Sequence, residues 1–324
     1  MGYGHGVAMI ARGVRRAAAV GLAVGAVIGL VACARAGSPG GAVMIAAAGD
    51  IACDPGSGSW NGGAGSSSSC HELATSELLL ALHPDRVLTL GDNQYEDGAL
   101  AKYRQSFDPS WGRLKSITEP SVGNHEYGTS GAAGYFGYFG PAAGDPAKGY
   151  YSYDLGAWHV VALNSNCGEV GGCGAGSPQE QWLRADLAAH AAECTLAYWH
   201  HPRFSSGSTH GSDTGMSAVW QALAEHRAEL VLSGHEHNYE RFAPQDADGA
   251  LDPVGGVVQF VVGTGGKSHY RDLGTPLPNS LIRDDTTFGV LKLTLRPSAY
   301  DWQFVPDATG SGGSFTDSGS AACH

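Results

Sequence analysis

The sequence predicts an α/β fold, and three observations predict it. Apolar runs rich in Val, Ile and Leu stop abruptly on polar residues, as in Val87-Leu88-Thr89-Leu90 before Gly91-Asp92. Such a run reads as a buried strand that delivers a side chain to its C-terminal end, where open α/β sheets place ligands. The first two runs flank a loop and one stretch of helical spacing, the order of a parallel β-loop-α-β unit. Later runs, Val257 to Val262, Phe288 to Leu295 and Tyr300 to Val305, read as strands of a second sheet. The 324 residues, 43% of them hydrophobic, suffice for a sizeable core. No repeat of solenoid period is visible, and one catalytic domain over residues 43–305 is expected.

Residues 1–33 read as a targeting segment rather than as fold. Arg12, Arg15 and Arg16 precede an uncharged run, Ala17 to Ala32, of signal-peptide length and short for a membrane span. Leu30-Val31-Ala32-Cys33 resembles a bacterial lipobox with Cys33 as the lipidated residue, while Ala34-Arg35-Ala36 resembles a small-x-small cleavage site. The lipobox is the preferred reading, and both predict export, as a secreted or lipid-anchored protein that meets a membrane only through a lipid on Cys33. Residues 34–42, with Gly37 to Gly41 at their centre, read as a linker.

Val43 to Ala48 is the first expected strand and runs into Gly49-Asp50. After a Gly/Ser-rich loop, His71 to Leu82 has helical spacing and stops at Pro84. The strand at 87–91 comes next, then a helix from Asp97 to Phe107 and a strand from Ile117 to Val122 that ends in Gly123-Asn124-His125-Glu126. Residues 127–149, rich in Gly, Ala, Tyr and Phe, read as a long ordered loop of the sort that serves a site. Tyr150 to Leu155 and Trp158 to Leu163 read as an antiparallel pair. Ser177-Pro178-Gln179-Glu180 opens a helix to about Ala192, with Ser as N-cap, Pro in the first turn and Glu as capping-box partner. Thr195 to Trp199 is a strand ending in His200-His201-Pro202; a helix at 215–226 and a strand at 229–232 lead to Ser233-Gly234-His235-Glu236-His237. The tail, 306–324, is Gly/Ser-rich and expected to be mobile but for Cys323.

Cysteine use agrees with export. Setting Cys33 aside leaves Cys53, Cys70, Cys167, Cys173, Cys194 and Cys323, an even number with no CxxC zinc spacing. Spacing does not fix connectivity, but Cys53–Cys70 and Cys167–Cys173 would close short Gly-rich loops and leave Cys194 to Cys323; free buried thiols are the alternative. The net charge is −12, and without residues 1–33 the 16 remaining basic residues face 31 acidic ones, a net −15. So acidic a surface repels a phosphate backbone, and no nucleic-acid partner is expected.

Five strands each end in a polar cluster: Asp50; Asp92 with Tyr95; Asn124 with His125; His200; His235 with His237. Their shared position brings them to one sheet edge. Carboxylate, imidazole, amide and phenol oxygen suit iron, zinc or manganese. Seven candidate ligands exceed what one catalytic ion holds while keeping a position open, so two ions are implied.

Gly49-Asp50, Gly91-Asp92-x-x-Tyr95, Gly123-Asn124-His125-Glu126, His200-x-Pro202 and Gly234-His235-x-His237 with Tyr239-Glu240-Arg241 resemble the ordered motifs of calcineurin-like metallophosphoesterases. Tyr95 and the Tyr-Glu-Arg tail resemble the purple acid phosphatase branch. The resemblance implies a four-layer α/β/β/α sandwich of two mixed sheets. It also implies ferric iron at Asp50, Asp92, Tyr95 and His237, and iron, zinc or manganese at Asp92, Asn124, His200 and His235, with Asp92 as bridge. It further implies a hydrolase of small phosphate monoesters acting by in-line attack of a metal-bound hydroxide. Asn124, His125 and His210 would bind substrate, with His125 and His210 catalytic; Glu126 is the expected partner orienting His125. His201 is expected to face away from the site, Arg241 to form an ion pair behind it, and Gly263-Thr264-Gly265-Gly266 to lie near its mouth. His71, His83, His159, His190, His226 and His269 lack a motif and read as structural. Two departures stand out: Asp50 is followed by Ile51-Ala52 where many relatives carry Asp-x-Gly, and residues 34–43 leave no room for the N-terminal β-sandwich of plant members. The alternatives are a phosphodiesterase on the same dimetal centre and, from another class, a non-catalytic metal-containing surface binding module.

Overall fold

The structure, a computed structural model, describes residues 1–4, 41–190, 192–309 and 314–324; residues 5–33 of the expected targeting segment, Cys33 included, and residues 34–40 of the expected linker lie outside the described residues. The chain divides into units Met1–Ala36 and Gly37–His324. Of the first unit only four exposed residues are described. The second unit carries the fold.

Two mixed sheets form its centre. The first contains β1 (Val43–Ala48), β2 (Arg86–Leu90), β3 (Thr118–Ser121), β11 (Gly289–Arg296), β12 (Ala299–Pro306) and β13 (Ser318–Ala322) in the order β13-β12-β11-β1-β2-β3. The second contains β4 (Tyr151–Leu155), β5 (Trp158–Ala162), β6 (Cys194–Tyr198), β7 (Leu230–Ser233), β8 (Tyr239–Phe242), β9 (Val258–Val262) and β10 (Ser280–Asp284) in the order β10-β8-β9-β7-β6-β5-β4. β1–β2–β3 and β5–β6–β7–β9 pair in parallel, so their C-terminal ends share an edge in each sheet.

Period-2 alternation sorts the side chains into layers. Along β5, β6 and β7, Trp158, Val160, Ala162, Leu196, Tyr198, Leu230 and Leu232 join Ile45, Val87, Leu291 and Leu293 in the core. Val161, Ala197, Trp199 and Val231 face the other way, onto Leu183, Leu187, Val219, Trp220 and Leu223. These last belong to α3 (Pro178–Ala189) and α4 (Ser217–Glu225). On the first sheet α1 (Glu72–Leu82) lies against β11. The expected sandwich is therefore present.

Three elements differ from expectation. Asp97–Phe107 is not one helix: Gly98 turns with φ 61°, the Asp97 carboxylate accepts from the Ala99 N–H, and only a short turn, Leu100–Lys102, precedes a wider one at Tyr103–Phe107. The 127–149 loop contains α2 (Ala133–Phe139), whose Tyr135, Phe136, Tyr138 and Phe139 are buried in an aromatic cluster with Tyr103 and Phe107. Residues 318–322 are no loose tail; they pair antiparallel with β12 as an edge strand. Among the described residues the disulfides are Cys53–Cys70, Cys167–Cys173 and Cys194–Cys323. The last ties the start of β6 in one sheet to the end of β13 in the other. Among the described residues no helix is long and apolar enough to cross a membrane.

Candidate metal centre

The seven expected metal ligands and His125 follow strand ends, whereas His210 lies in the long loop after β6. β1 and β2 end in Asp50 and Asp92, both buried and both in the left-handed region, at φ 60° and 47°. His235, after β7, also has positive φ, 71°. Such backbone is uncommon for non-glycine residues, Asp and His being among those that tolerate it best, and concentrates at functional sites. It is held by cross-links between turns: Asp50 N–H donates to the Gly91 carbonyl (3.1 Å) and Ile51 N–H to that of Asp92 (3.0 Å). Gly91 is required by a close approach, since a Cβ there would lie 2.6 Å from the His200 ring.

The side chains converge in two clusters. In the first, Tyr95 Oη lies 2.9 Å from Asp50 Oδ1, 3.2 Å from Asp92 Oδ2 and 3.0 Å from His237 Nε2. One phenol proton cannot serve two carboxylate oxygens at once. In the second, His200 Nε2 lies 3.0 Å from Asn124 Oδ1, 3.2 Å from Asp92 Oδ2 and 3.1 Å from His235 Nδ1. Its Nδ1 faces the Leu90 carbonyl at 2.9 Å, which fixes a proton there. Without positive charge at Nε2, the ring would aim a lone pair at the Asn124 and Asp92 oxygens. A cation at the centre of each cluster relieves both conflicts, so the donor set fits two metal ions with Asp92 Oδ2 common to both.

The electrostatics show the same demand for positive charge between His200 and Asp92. Burial alone would raise Asp92, but the His200 charge beside it holds its carboxyl far below the usual range. Burial would lower His200, yet Asp92 lifts it to about 9. Burial and the two carboxylates push the Tyr95 phenol well above its ordinary value. Burial and the charge of His200 depress His235, and depress His201 to about 3.

His125 stands at the rim. Its N–H donates to Asp92 Oδ1 at 2.9 Å, its Nδ1 meets the Glu96 carbonyl at 2.6 Å, and its Nε2 is 3.9 Å from Asp92 Oδ2. Glu126 does not orient the His125 ring. Its Oε1 accepts from the N–H groups of Asn93 (2.9 Å) and Gln94 (3.1 Å) and from the Tyr103 hydroxyl (3.1 Å), and its Oε2 from Gly123 N–H (2.7 Å), so it clamps the two ligand loops together. His210 is exposed, yet it stacks on His235 with centroids 4.0 Å apart, at the mouth of the site. The middle residue of Gly234-His235-Glu236-His237 holds it there: Glu236 Oε1 accepts from the N–H groups of His210 (2.6 Å) and Gly211 (2.7 Å). His201, expected to face away, lies 4.3 Å from the His235 ring, its Nδ1 fixed by the Ser165 hydroxyl at 2.7 Å.

The segment after the Gly263–Gly266 turn supplies residues that sequence reasoning missed. Ser268 Oγ meets His237 Nδ1 at 3.1 Å, and the Tyr270 ring stacks on His237 at 4.1 Å. No motif marked them; the glycine turn before them is the one signal that could have. Arg241 pairs with Asp317 behind the site, and His159 spends both ring nitrogens on Asp154 (2.9 Å) and Asp186 (2.8 Å), a structural role.

A two-sheet sandwich whose parallel strand ends gather carboxylates, imidazoles, an amide and a phenol into two cation-seeking clusters has the architecture of a metallophosphoesterase. The model of the calcineurin-like phosphoesterase family matches residues 44–239, and the chain belongs to that family. Purple acid phosphatase 15 of Arabidopsis thaliana is 27% identical over 248 residues, 64% of this chain and 45% of that protein. A nucleotide pyrophosphatase/phosphodiesterase of Hordeum vulgare is 25% identical over 240 residues, 65% of each. An uncharacterised protein of Mycobacterium tuberculosis is 26% identical over 216 residues, 58% of this chain and 40% of that one. The chain thus spans less than half the length of the first curated relatives it matches. Among solved structures, purple acid phosphatase PPD1 from yellow lupin shares the fold with a TM-score of 0.70 at 19% identity, over 87% of this chain and 54% of that chain.

Proposed function

We propose that the chain is an exported two-metal phosphatase that hydrolyses small phosphate monoesters. The observation that carries this reading is the pair of acceptor clusters sharing Asp92 Oδ2, with His125 at their open side. Asp50, Asp92, Tyr95 and His237 would hold one ion, with ferric iron the proposed occupant. Asp92, Asn124, His200 and His235 would hold the second, iron, zinc or manganese. When bound, such a pair neutralises phosphate oxygens and activates water. Phosphoryl transfer asks mainly for positioning and charge neutralisation. His125 is suited to the leaving-group side, because the Glu96 carbonyl holds the proton on Nδ1 and leaves Nε2 to carry a second proton to the departing oxygen. Asn124 and His210 would hold the phosphate. Three disulfides support an oxidising compartment.

The similarity to a nucleotide pyrophosphatase/phosphodiesterase favours a second reading, phosphodiester cleavage at the same centre. Elemental analysis of the purified protein with a phosphoester panel across pH tests both. Two metals per chain and faster turnover of p-nitrophenyl phosphate than of bis(p-nitrophenyl) phosphate are expected; the reverse preference establishes the diesterase. Full metal occupancy with no turnover of any phosphoester overturns both in favour of a binding module. A visible absorption band lost in Tyr95→Phe is expected, and a colourless active protein removes the iron assignment alone.

A further inference from the structure

We propose that Tyr270 is a substrate-contacting residue whose hydroxyl, paired with His210, holds a phosphate oxygen above the site. The inference rests on the phosphoesterase reading and extends it to a residue outside the expected ligand set.

Tyr270 is 37% exposed, unlike the seven candidate ligands, so it borders solvent as well as the site. Its ring lies nearly parallel to His237, with centroids 4.1 Å apart and planes 14° apart. Its Oη is 3.2 Å from His237 Nε2. With the rings stacked, that approach is to the face of the imidazole, whereas the lone pair of Nε2 lies in the ring plane. Tyr95 meets the same nitrogen with its ring at 82° to His237. Tyr95 thus meets His237 edge to edge, its Oη 3.0 Å from Nε2, while Tyr270 lies against the ring face.

The Tyr270 hydroxyl also lies 3.1 Å from His210 Nε2, and His210 stacks on His235. The two side chains thus come from separate loops, each lying flat on the histidine of a different cluster, and their polar atoms meet above the pair. Among the described residues the Tyr270 hydroxyl meets no partner deeper in the fold than these two imidazoles. A phenol hydroxyl is a donor, which is what an anionic oxygen arriving over the two clusters needs. Hydrogen bonds to charged partners typically contribute about 1.5–3 kcal/mol, or roughly 10- to 100-fold in affinity.

Tyr270→Phe deletes the hydroxyl and keeps the ring on His237. In the metal-loaded protein, titration with inorganic phosphate is expected to give a dissociation constant at least about 10-fold weaker than wild type. KM for p-nitrophenyl phosphate should rise in parallel with little change in kcat, as loss of uniform binding requires. Metal content by elemental analysis and the thermal midpoint should stay at wild-type values. A merely structural role would move the midpoint and leave phosphate affinity unchanged, and that outcome overturns the proposal. Loss of metal in Tyr270→Phe also overturns it, since the residue would then be a ligand. Tyr270→Leu, which removes ring and hydroxyl together, should weaken phosphate no less. A wild type that hydrolyses phosphoesters while Tyr270→Phe binds phosphate equally well sinks this inference alone. A loaded wild type that neither binds phosphate nor turns over any ester sinks the phosphoesterase reading with it.

Discussion

His125 and Tyr95 touch, ring centroids 4.3 Å apart, yet the site asks opposite things of them. Tyr95 is buried among acceptors, whereas His125 keeps a ring nitrogen at the rim, 3.9 Å from the Asp92 carboxylate. His125→Asn should therefore leave both metals in place and reduce kcat by about 10²–10⁴-fold, the usual loss with a general acid; parallel elemental analysis and steady-state kinetics check it. The metal-seeking residues were legible in the sequence because each lies just past a short apolar run, most of them beside a glycine, a local signal. Glu126, Glu236, His201 and Tyr270 were not legible in their roles. What they do depends on which loop lies opposite, and Glu236 reads as a spacer until Gly211 and His210 are seen donating to it.

At the scale of the element, the strand-to-loop turns carry the site, and the glycines in them are there for clearance. A Cβ on Gly123 would collide with the Asp92 carboxylate and backbone. Gly123→Ala must move either the Asp92 carboxylate or the loop after β3, and overpacking of this kind typically costs about 1–3 kcal/mol. Reduced metal occupancy together with a lower thermal midpoint is expected, measured by elemental analysis and calorimetry. Strands whose faces are buried on both sides, such as β5 and β6, were evident as apolar runs. The capped helix at 178–189 was evident too, and its cap is formed: Ser177 Oγ accepts from Glu180 N–H at 3.3 Å. What escaped were elements defined by partners rather than by pattern. β13 reads Ser-Gly-Ser-Ala-Ala and has no strand signature; β12 makes it a strand. α2 hides in a Gly- and Tyr-rich stretch because its burial comes from residues 103 and 107.

For the molecule as a whole, pH enters through Glu72, buried at the start of α1 with the Ser106 hydroxyl on its Oε1 at 3.2 Å. Burial raises its carboxyl from 4.5 to about 7. Below pH 4.5 folded and unfolded chains both keep the proton. Between there and pH 7 only the folded chain does, so this residue's contribution declines as pH rises and levels off above, by on the order of 3 kcal/mol. Glu72→Gln, neutral throughout, should gain stability on wild type as pH goes from about 4.5 to about 8, read from denaturant midpoints at each pH. The Cys194–Cys323 bond closes a span of 129 residues. Chain entropy alone assigns such a closure about 5 kcal/mol, so Cys194→Ser with Cys323→Ser should lower the midpoint well beyond loss of the six-residue Cys167–Cys173 closure.

That same bond orders events in time. β6 carries His200 at its far end, yet the thiol that anchors its near end waits for a partner made 129 residues later. A ribosome delivering this polypeptide from the front therefore completes β6 and His200 well before Cys323 arrives. An oxidant then fastens one half of the sandwich to the other, last of all in the order of synthesis.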